Sequence, residues 1–309
     1  MQLFKSTKFN FIGNRNKAFA LSAALVLITI VSLIYHPLRD GMGPKMSIDF
    51  VGGTLVQLKF EKPVVDDLAK IRASIDALGF GQPEVKTVGG EGNEVQIVVN
   101  KKAEGTLVGD EIRAGLARDY AENPFELRRE EKVGPKIGGE LQQKALMAGL
   151  LSLLAILVYI GIRFHLPFGI AAIVALFHDV VITIGVFSVF NLEISLPIIA
   201  ALLTIIGYSL NDTIVVFDRI RENLGGTISR TSFEDKVNAS INECLSRTII
   251  TSVTTLAVVV TIYGFFFTSG DVIKYFAVAL ITGVIVGTYS SMFIASPTLV
   301  MWNKKWPLK

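Results

Sequence analysis

Six apolar stretches decide what this chain can fold into. They cover residues 19–35, 145–162, 168–190, 195–217, 248–267 and 272–299. A helix rising ~1.5 Å per residue needs about 20 apolar residues to cross a ~30 Å hydrocarbon core. A soluble protein can bury one such helix, but not five packed into residues 145–299. The last stretch is long enough to tilt or to leave the bilayer. Charge is distributed to match. Of 57 Lys, Arg, Asp and Glu, 33 lie in residues 36–143, so a water-exposed domain is set between the first and second spans. A net charge of +3 gives no reason to expect nucleic-acid binding, and the single Cys244 excludes an internal disulfide and a multi-cysteine zinc site.

Residues 1–18 form a basic lead-in, with Lys5, Lys8, Arg15 and Lys17. No small-x-small cleavage site precedes Tyr35-His36-Pro37, so residues 19–35 read as an uncleaved anchor rather than a signal peptide. Basic residues also mark the turn at Arg163, the 218–247 connection (Arg219, Arg221, Arg230, Lys236, Arg247) and the 300–309 tail (Lys304, Lys305, Lys309). The alternate loops carry Glu193 and Asp271 instead. With six spans, every basic segment falls on one side. Both termini are therefore expected in the cytoplasm and residues 36–143 outside. Phe233, Val237 and Ile241 recur at i, i+4, i+8, which predicts an amphipathic helix within 218–247, lying along the membrane surface or serving as a soluble linker.

Residues 36–143 read as a small α+β module. Val56, Leu58 and Phe60 alternate with polar residues as in a half-buried strand, and Val64 to Leu78 follow helical spacing up to Gly79. Two strands, 84–88 and 94–99, flank the glycine-rich turn 89–93. A second helix is expected over 107–121, with Val108, Ile112, Leu116 and Tyr120 on one face. Strand-like alternation at Phe125 and Leu127 follows. The β-α-β-β-α-β order predicts a ferredoxin-like fold. The module holds one histidine, His36, no cysteine and no catalytic or metal-ligating grouping.

Two carboxylates sit inside predicted spans, where each costs at least ~2.5–3.5 kcal/mol on insertion scales. Asp179, beside His178, lies ~17 Å into the third span, near the midplane. Asp212 lies ~8 Å from the far end of the fourth, in Gly207-Tyr208-Ser209-Leu210-Asn211-Asp212-Thr213. Arg247 opens the fifth span at the same level, within reach of Asp212 if its side chain turns inward. Desolvation favours a neutral acid and a guanidinium favours the carboxylate, a balance that suits a proton site. The alternative for either aspartate is a hydrogen-bonded packing device between helices. Asn211, Ser209, Thr213, Thr251, Ser252, Thr254 and Thr255 add polar groups at that level, and Gly283 and Gly287 permit close helix approach.

The Gly207–Thr213 piece, continued by Asp218-Arg219, resembles the signature of the SecF family of bacterial protein-translocase subunits. Ile48-Asp49-Phe50-Val51-Gly52-Gly53-Thr54, Val133-Gly134-Pro135, His178-Asp179-Val180 and Arg247-Thr248 match in the same order. The glycine-pair piece is shared with SecD. The resemblance implies a six-helix half of the RND superfamily with a small extracytoplasmic domain between helices 1 and 2. It implies a SecD partner, association with the SecYEG channel and with YajC and YidC, and an emerging unfolded polypeptide as cargo. It also implies residence in the bacterial plasma membrane and use of the proton-motive force, with protons as the coupling ion and no cofactor. The family's proton-pathway residues fall on Asp212 and Arg247, with Asp179 and Asn211 as secondary members. Asp49, Gly52, Gly53, Gly207, Tyr208, Ser209, Asp218 and Arg219 carry the family motifs. A passive translocon scaffold and an RND-type half moving a small solute stay open as other readings; an enzyme is not expected.

Overall fold

The computed structural model describes residues 7–40, 45–80, 83–99, 108–225, 231–268 and 272–306. Lys5, Leu107, Arg230, Asp271 and Lys309 lie outside those ranges, as does the His36 side chain. Six helical segments are long and apolar enough to cross a membrane. They are α1 (Arg15–Asp40), α5 (Pro135–Arg163), α6 (Leu166–Val189), α7 (Leu196–Gly225), α8 (Phe233–Phe265) and a last one made of α9 (Val272–Ser290) and α10 (Ser296–Lys305). Between α1 and α5 lie the short α2 (Ile48–Val51), α3 (Leu68–Ala77), α4 (Val108–Asp119) and strands β1 (Gly53–Phe60), β2 (Glu84–Val88), β3 (Glu94–Val99) and β4 (Phe125–Val133).

The sheet order is β2-β3-β1-β4 with every neighbouring pair antiparallel. This is the split βαβ arrangement expected of a ferredoxin-like domain. Its core is the apolar face predicted from periodicity. Val56, Leu58 and Phe60 of β1 meet Ile71 and Ile75 of α3, Ile112 and Leu116 of α4, and Val95 and Ile97 of β3. Tyr120 packs at the edge of that core.

In the bundle, small residues set how closely helices approach. An added Cβ on Gly283 of α9 would lie 2.3 Å from Ile205 of α7, and one on Gly287 would lie 3.0 Å from Ser209. Without a hydrophobic drive between helices in lipid, such close contact is what holds them. The outward faces of α5 and α8 are apolar, with Leu146, Leu150, Leu154, Val253 and Val258 exposed.

Between α9 and α10 the helix passes through a π-helical turn, Ser291–Ala295. Pro297, which has no N–H, follows it. The Ser296 hydroxyl donates to the Ser291 carbonyl at 3.0 Å.

Two expectations need correction. Among its described residues, the 218–247 connection holds no separate surface helix. α7 runs on to Gly225, and α8 is one continuous helix from Phe233, capped by the Ser232 hydroxyl, through the fifth apolar stretch. Val237 and Ile241 bury against Phe217 and Ile220, so their apolar spacing serves helix packing instead of the membrane surface. The 1–18 segment is likewise more than a tail over its described part. Phe11 and Ile12 join the main core of the bundle. Asn242 accepts the Phe9 N–H at 2.9 Å and donates to its carbonyl at 2.8 Å, while Asn238 accepts from Ile12 at 3.2 Å.

Candidate functional site

The two aspartates of the spans are both buried, Asp179 1% and Asp212 2% exposed. Their surroundings are opposite. Asp179 is saturated. Its Oδ2 accepts the hydroxyls of Ser209 on α7 at 2.6 Å and Ser290 on α9 at 2.8 Å, and its Oδ1 lies 2.9 Å from His178 Nδ1. His178 Nε2 is 3.0 Å from Ser22 on α1. Ser22 is 3.1 Å from the Tyr289 hydroxyl, which donates to the Ala18 carbonyl at 2.8 Å. One carboxylate thus ties α1, α6, α7 and α9 together. This is the packing-device arrangement that the sequence left open for Asp179.

Asp212 hydrogen-bonds to no described residue, and its Oδ2 is fully buried. The Tyr208 hydroxyl, one turn earlier on α7, and Thr248 Oγ1 on α8 are buried and unpartnered as well. Cys244 Sγ touches the Val215 carbonyl at 3.7 Å, which fixes the antiparallel register of α7 and α8. One turn further along α8, Thr248 reaches the level of Asp212. Unpartnered buried polar groups are costly in a hydrocarbon setting, and Tyr208 and Asp212, one turn apart on α7, and Thr248 on α8 each carry one.

Arg247 does not close on Asp212. It is exposed and makes no ion pair with any described residue, although it lies near enough for its charge to act on Asp212. Depth along a helix was legible from residue counting, whereas azimuth was not. Cys244 and Thr248, at i and i+4, take the face towards α7, and Arg247 is left ~100° round the helix.

The other motif residues separate into three places. Gly207 and Asn211, with Thr204, are exposed on the outward face of α7, so Asn211 is not part of the buried site. Asp218 and Arg219 belong to an ionic collar at the end of the bundle away from the sheet. Asp218 meets Arg163 at 3.3 Å and Arg221 at 2.9 Å, and Arg219 meets Glu222 at 2.8 Å and Glu243. Asp49, Gly52 and Gly53 lie at the opposite end, where the sheet joins the bundle. The Asp49 carboxylate accepts the N–H of Leu196, the first residue of α7, at 2.9 Å. Gly52 has φ +77°, and an added Cβ would lie 3.0 Å from Pro135 at the start of α5. Gly138 faces the Phe50 carbonyl, which an added Cβ would meet at 2.8 Å.

Ser290 was missed as a partner of Asp179, Ser22 as that of His178 and Tyr289 as that of Ser22, and Thr248 as the residue at the level of Asp212. The only sequence signal was a small polar residue in an apolar span, which is common in membrane helices. Among the described residues, no three His, Cys, Asp or Glu side chains gather to hold a metal ion.

Comparison with known proteins places this arrangement in context. Residues 115–305 match the family model described as protein export membrane protein SecD/SecF, C-terminal, and residues 41–64 match the SecD/SecF GG motif. The protein translocase subunit SecF of Desulfurispirillum indicum is 45% identical over 301 residues, covering 96% of this chain and 92% of that one. That of Vibrio alginolyticus is 42% identical over 298 residues, covering 96% and 90%. The crystal structure of SecDF, a translocon-associated membrane protein from Thermus thermophilus, superposes with a TM-score of 0.81 at 37% identity. It covers 98% of this chain, which spans 40% of that longer one. SecDF in a super-membrane-facing form, also 37% identical, gives 0.68.

Proposed function

The chain belongs to the SecD/SecF family of protein-export membrane proteins, among its SecF subunits, and on that premise we propose that it couples the proton-motive force to late steps of polypeptide translocation. Asp212 is the carboxylate that takes up and releases the proton. The observation that carries this is the contrast between the two buried aspartates: Asp179 has every donor it needs, while Asp212 has none. A carboxylate bonded to three side chains is held in place by them, whereas one with no hydrogen-bond partner in a buried site is free to change its interactions. Arg247, at the same depth on α8, is the movable countercharge, and Tyr208 and Thr248 carry unpartnered hydroxyls on the same two helices.

Protonation changes how α7 and α8 pack, and packed helices switch between discrete arrangements. The sheet domain, outside the membrane with both termini in the cytoplasm, turns that switch into movement of an emerging chain. SecD supplies the other half of the bundle. Thr204, Gly207 and Asn211 on the outward face of α7 suit contact with a second set of helices better than contact with lipid. SecYEG, with YajC and YidC, provides the channel at which the pair works.

The test is a pulse-chase of an exported precursor in cells depleted of this chain and complemented with wild type or Asp212→Asn. Wild type restores export. Asp212→Asn, at normal membrane level and with SecD still co-purifying, does not. Equal rescue by both would make Asp212 a packing residue and the chain a passive scaffold.

A further inference from the structure

The sheet domain touches the bundle at the ends of the two helices that carry Asp212 and Arg247. At α7, the first backbone N–H would otherwise be one of the four a helix leaves without an internal partner. It is taken by a carboxylate from outside the helix, Asp49, at 2.9 Å. Asp49 sits in α2, and two residues after α2 the chain enters β1 in the middle of the sheet. The segment before it is bonded to the residues leading into α7. Ser47 donates to the Ile194 carbonyl at 2.9 Å, and Ile194 to that of Lys45 at 2.8 Å. At α8, the N–H of Gly89, in the β2–β3 turn, donates to the Thr268 carbonyl, just past the last turn of the helix, at 2.7 Å. Lys86 of β2 adds an ion pair to Glu193 at 3.6 Å.

From these contacts we propose that Asp49 is a positioning residue, the joint through which an axial or tilting displacement of α7 is passed to the sheet. The role rests on the proton reading of Asp212. About 24 Å of helix separates Leu196 from Asp212 at ~1.5 Å per residue, and a helix is stiff over that length. A carboxylate on a helix N-terminus is held by hydrogen bond and macrodipole together, so Asp49 follows α7 instead of sliding past it. Gly52 and Gly53, with φ +77° and +148°, make the turn from this joint into β1. The backbone there lies against Pro135 and Gly138 of α5, so α5 is the support on which the joint turns. This gives the double glycine a mechanical reason: a side chain at either position would separate the joint from its support or from the strand.

The experiment uses the full chain, with its SecD partner, in lipid nanodiscs. Cys244, the single cysteine, is replaced by Ala, and spin labels are placed at exposed Glu122 in the sheet domain and exposed Lys144 on α5. Pulsed dipolar spectroscopy then reads how the sheet sits on its support. Asp49→Ala alone is expected to broaden the distance distribution, and Asp49→Asn, which keeps an acceptor for the Leu196 N–H, to leave it narrow. An unbroadened Asp49→Ala overturns the joint. With Asp49 intact, Asp212→Asn shifts the distribution; with Asp49→Ala the shift is lost, and with Asp49→Asn it is retained. A shift that survives Asp49→Ala overturns the proposal. Absence of any shift on Asp212→Asn, with the Asp49→Ala broadening present, instead counts against the proton reading alone.

Discussion

Ser209 donates its hydroxyl to Asp179 at 2.6 Å from a position less than one helical turn before Asp212 on the same helix. The saturated carboxylate and the bare one are thereby joined by three residues of α7. A displacement of α7 that accompanies a change at Asp212 would also load the Ser209–Asp179 bond.

Asp179→Ala should therefore act on stability. It removes an acceptor used by two side chains of other helices, and interhelical bonds in membranes average about 0.6 kcal/mol with a maximum near 1.7, so a loss of about 1–3 kcal/mol is expected. Asp212→Asn removes no hydrogen bond and should cost less than about 1 kcal/mol. Denaturant unfolding in mixed micelles would rank the two, and a reversed ranking would refute the assignment.

Tyr208→Phe and Thr248→Val delete hydroxyls that have no partner. Deleting an unsatisfied polar group is neutral or stabilising. Thermal unfolding should therefore stay level or rise for both, while export slows if the hydroxyls serve the Asp212 site. A fall in melting temperature of several degrees would mean that each hydroxyl is already bonded in the native bundle.

Gly283→Ala should disturb the α7–α9 contact, since its new methyl group lands 2.3 Å from Ile205. Overpacking costs about 1–3 kcal/mol. Ile205→Ala alone should cost about 2–5 kcal/mol, but together with Gly283→Ala the loss should be well below the sum of the two, as measured by unfolding of the single and double variants. Additive losses in the double variant would show that the clash is not the cause.

Asn242→Ala should release residues 7–12 from the end of α8, because that amide makes two hydrogen bonds to Phe9. The expected loss is about 1–3 kcal/mol. Limited proteolysis should cut ahead of Arg15 faster in the variant, and an unchanged cleavage rate would rule out the grip.

The reach of the sequence follows from what periodicity encodes. Span lengths, strand alternation at Val56, Leu58 and Phe60, and the 89–93 turn are local patterns, and each appears where it was read. The pairing of Asp212 with Arg247 was read from depth alone. It failed at the contact level because the rotation of α8 is set by Cys244 and Thr248 packing on α7, which no count along the chain reveals. The surface-lying helix failed for a related reason. Val237 and Ile241 have the spacing of a membrane-seeking face, but Phe217 and Ile220 cover them. The amphipathic pattern says that a face is buried, and only the fold says by what. Asp49 was found through the family motif, yet its contact with Leu196 spans 147 residues, beyond any local signal.

The π-helical turn at Ser291–Ala295 has a consequence for how this segment tolerates insertion and deletion. A π turn holds one residue more than an α-helix of the same path, so residues before and after it are out of phase by ~100°. Ser290 can then face Asp179 while Leu299 and Val300, past the turn, both face the core. Removing a single residue from 291–295 would restore a regular helix and rotate α10, with Trp302 and Lys304, by that angle relative to α8. The last membrane crossing is thus written in a reading frame of its own, and one missing letter would turn its two halves against each other while every residue kept its chemistry.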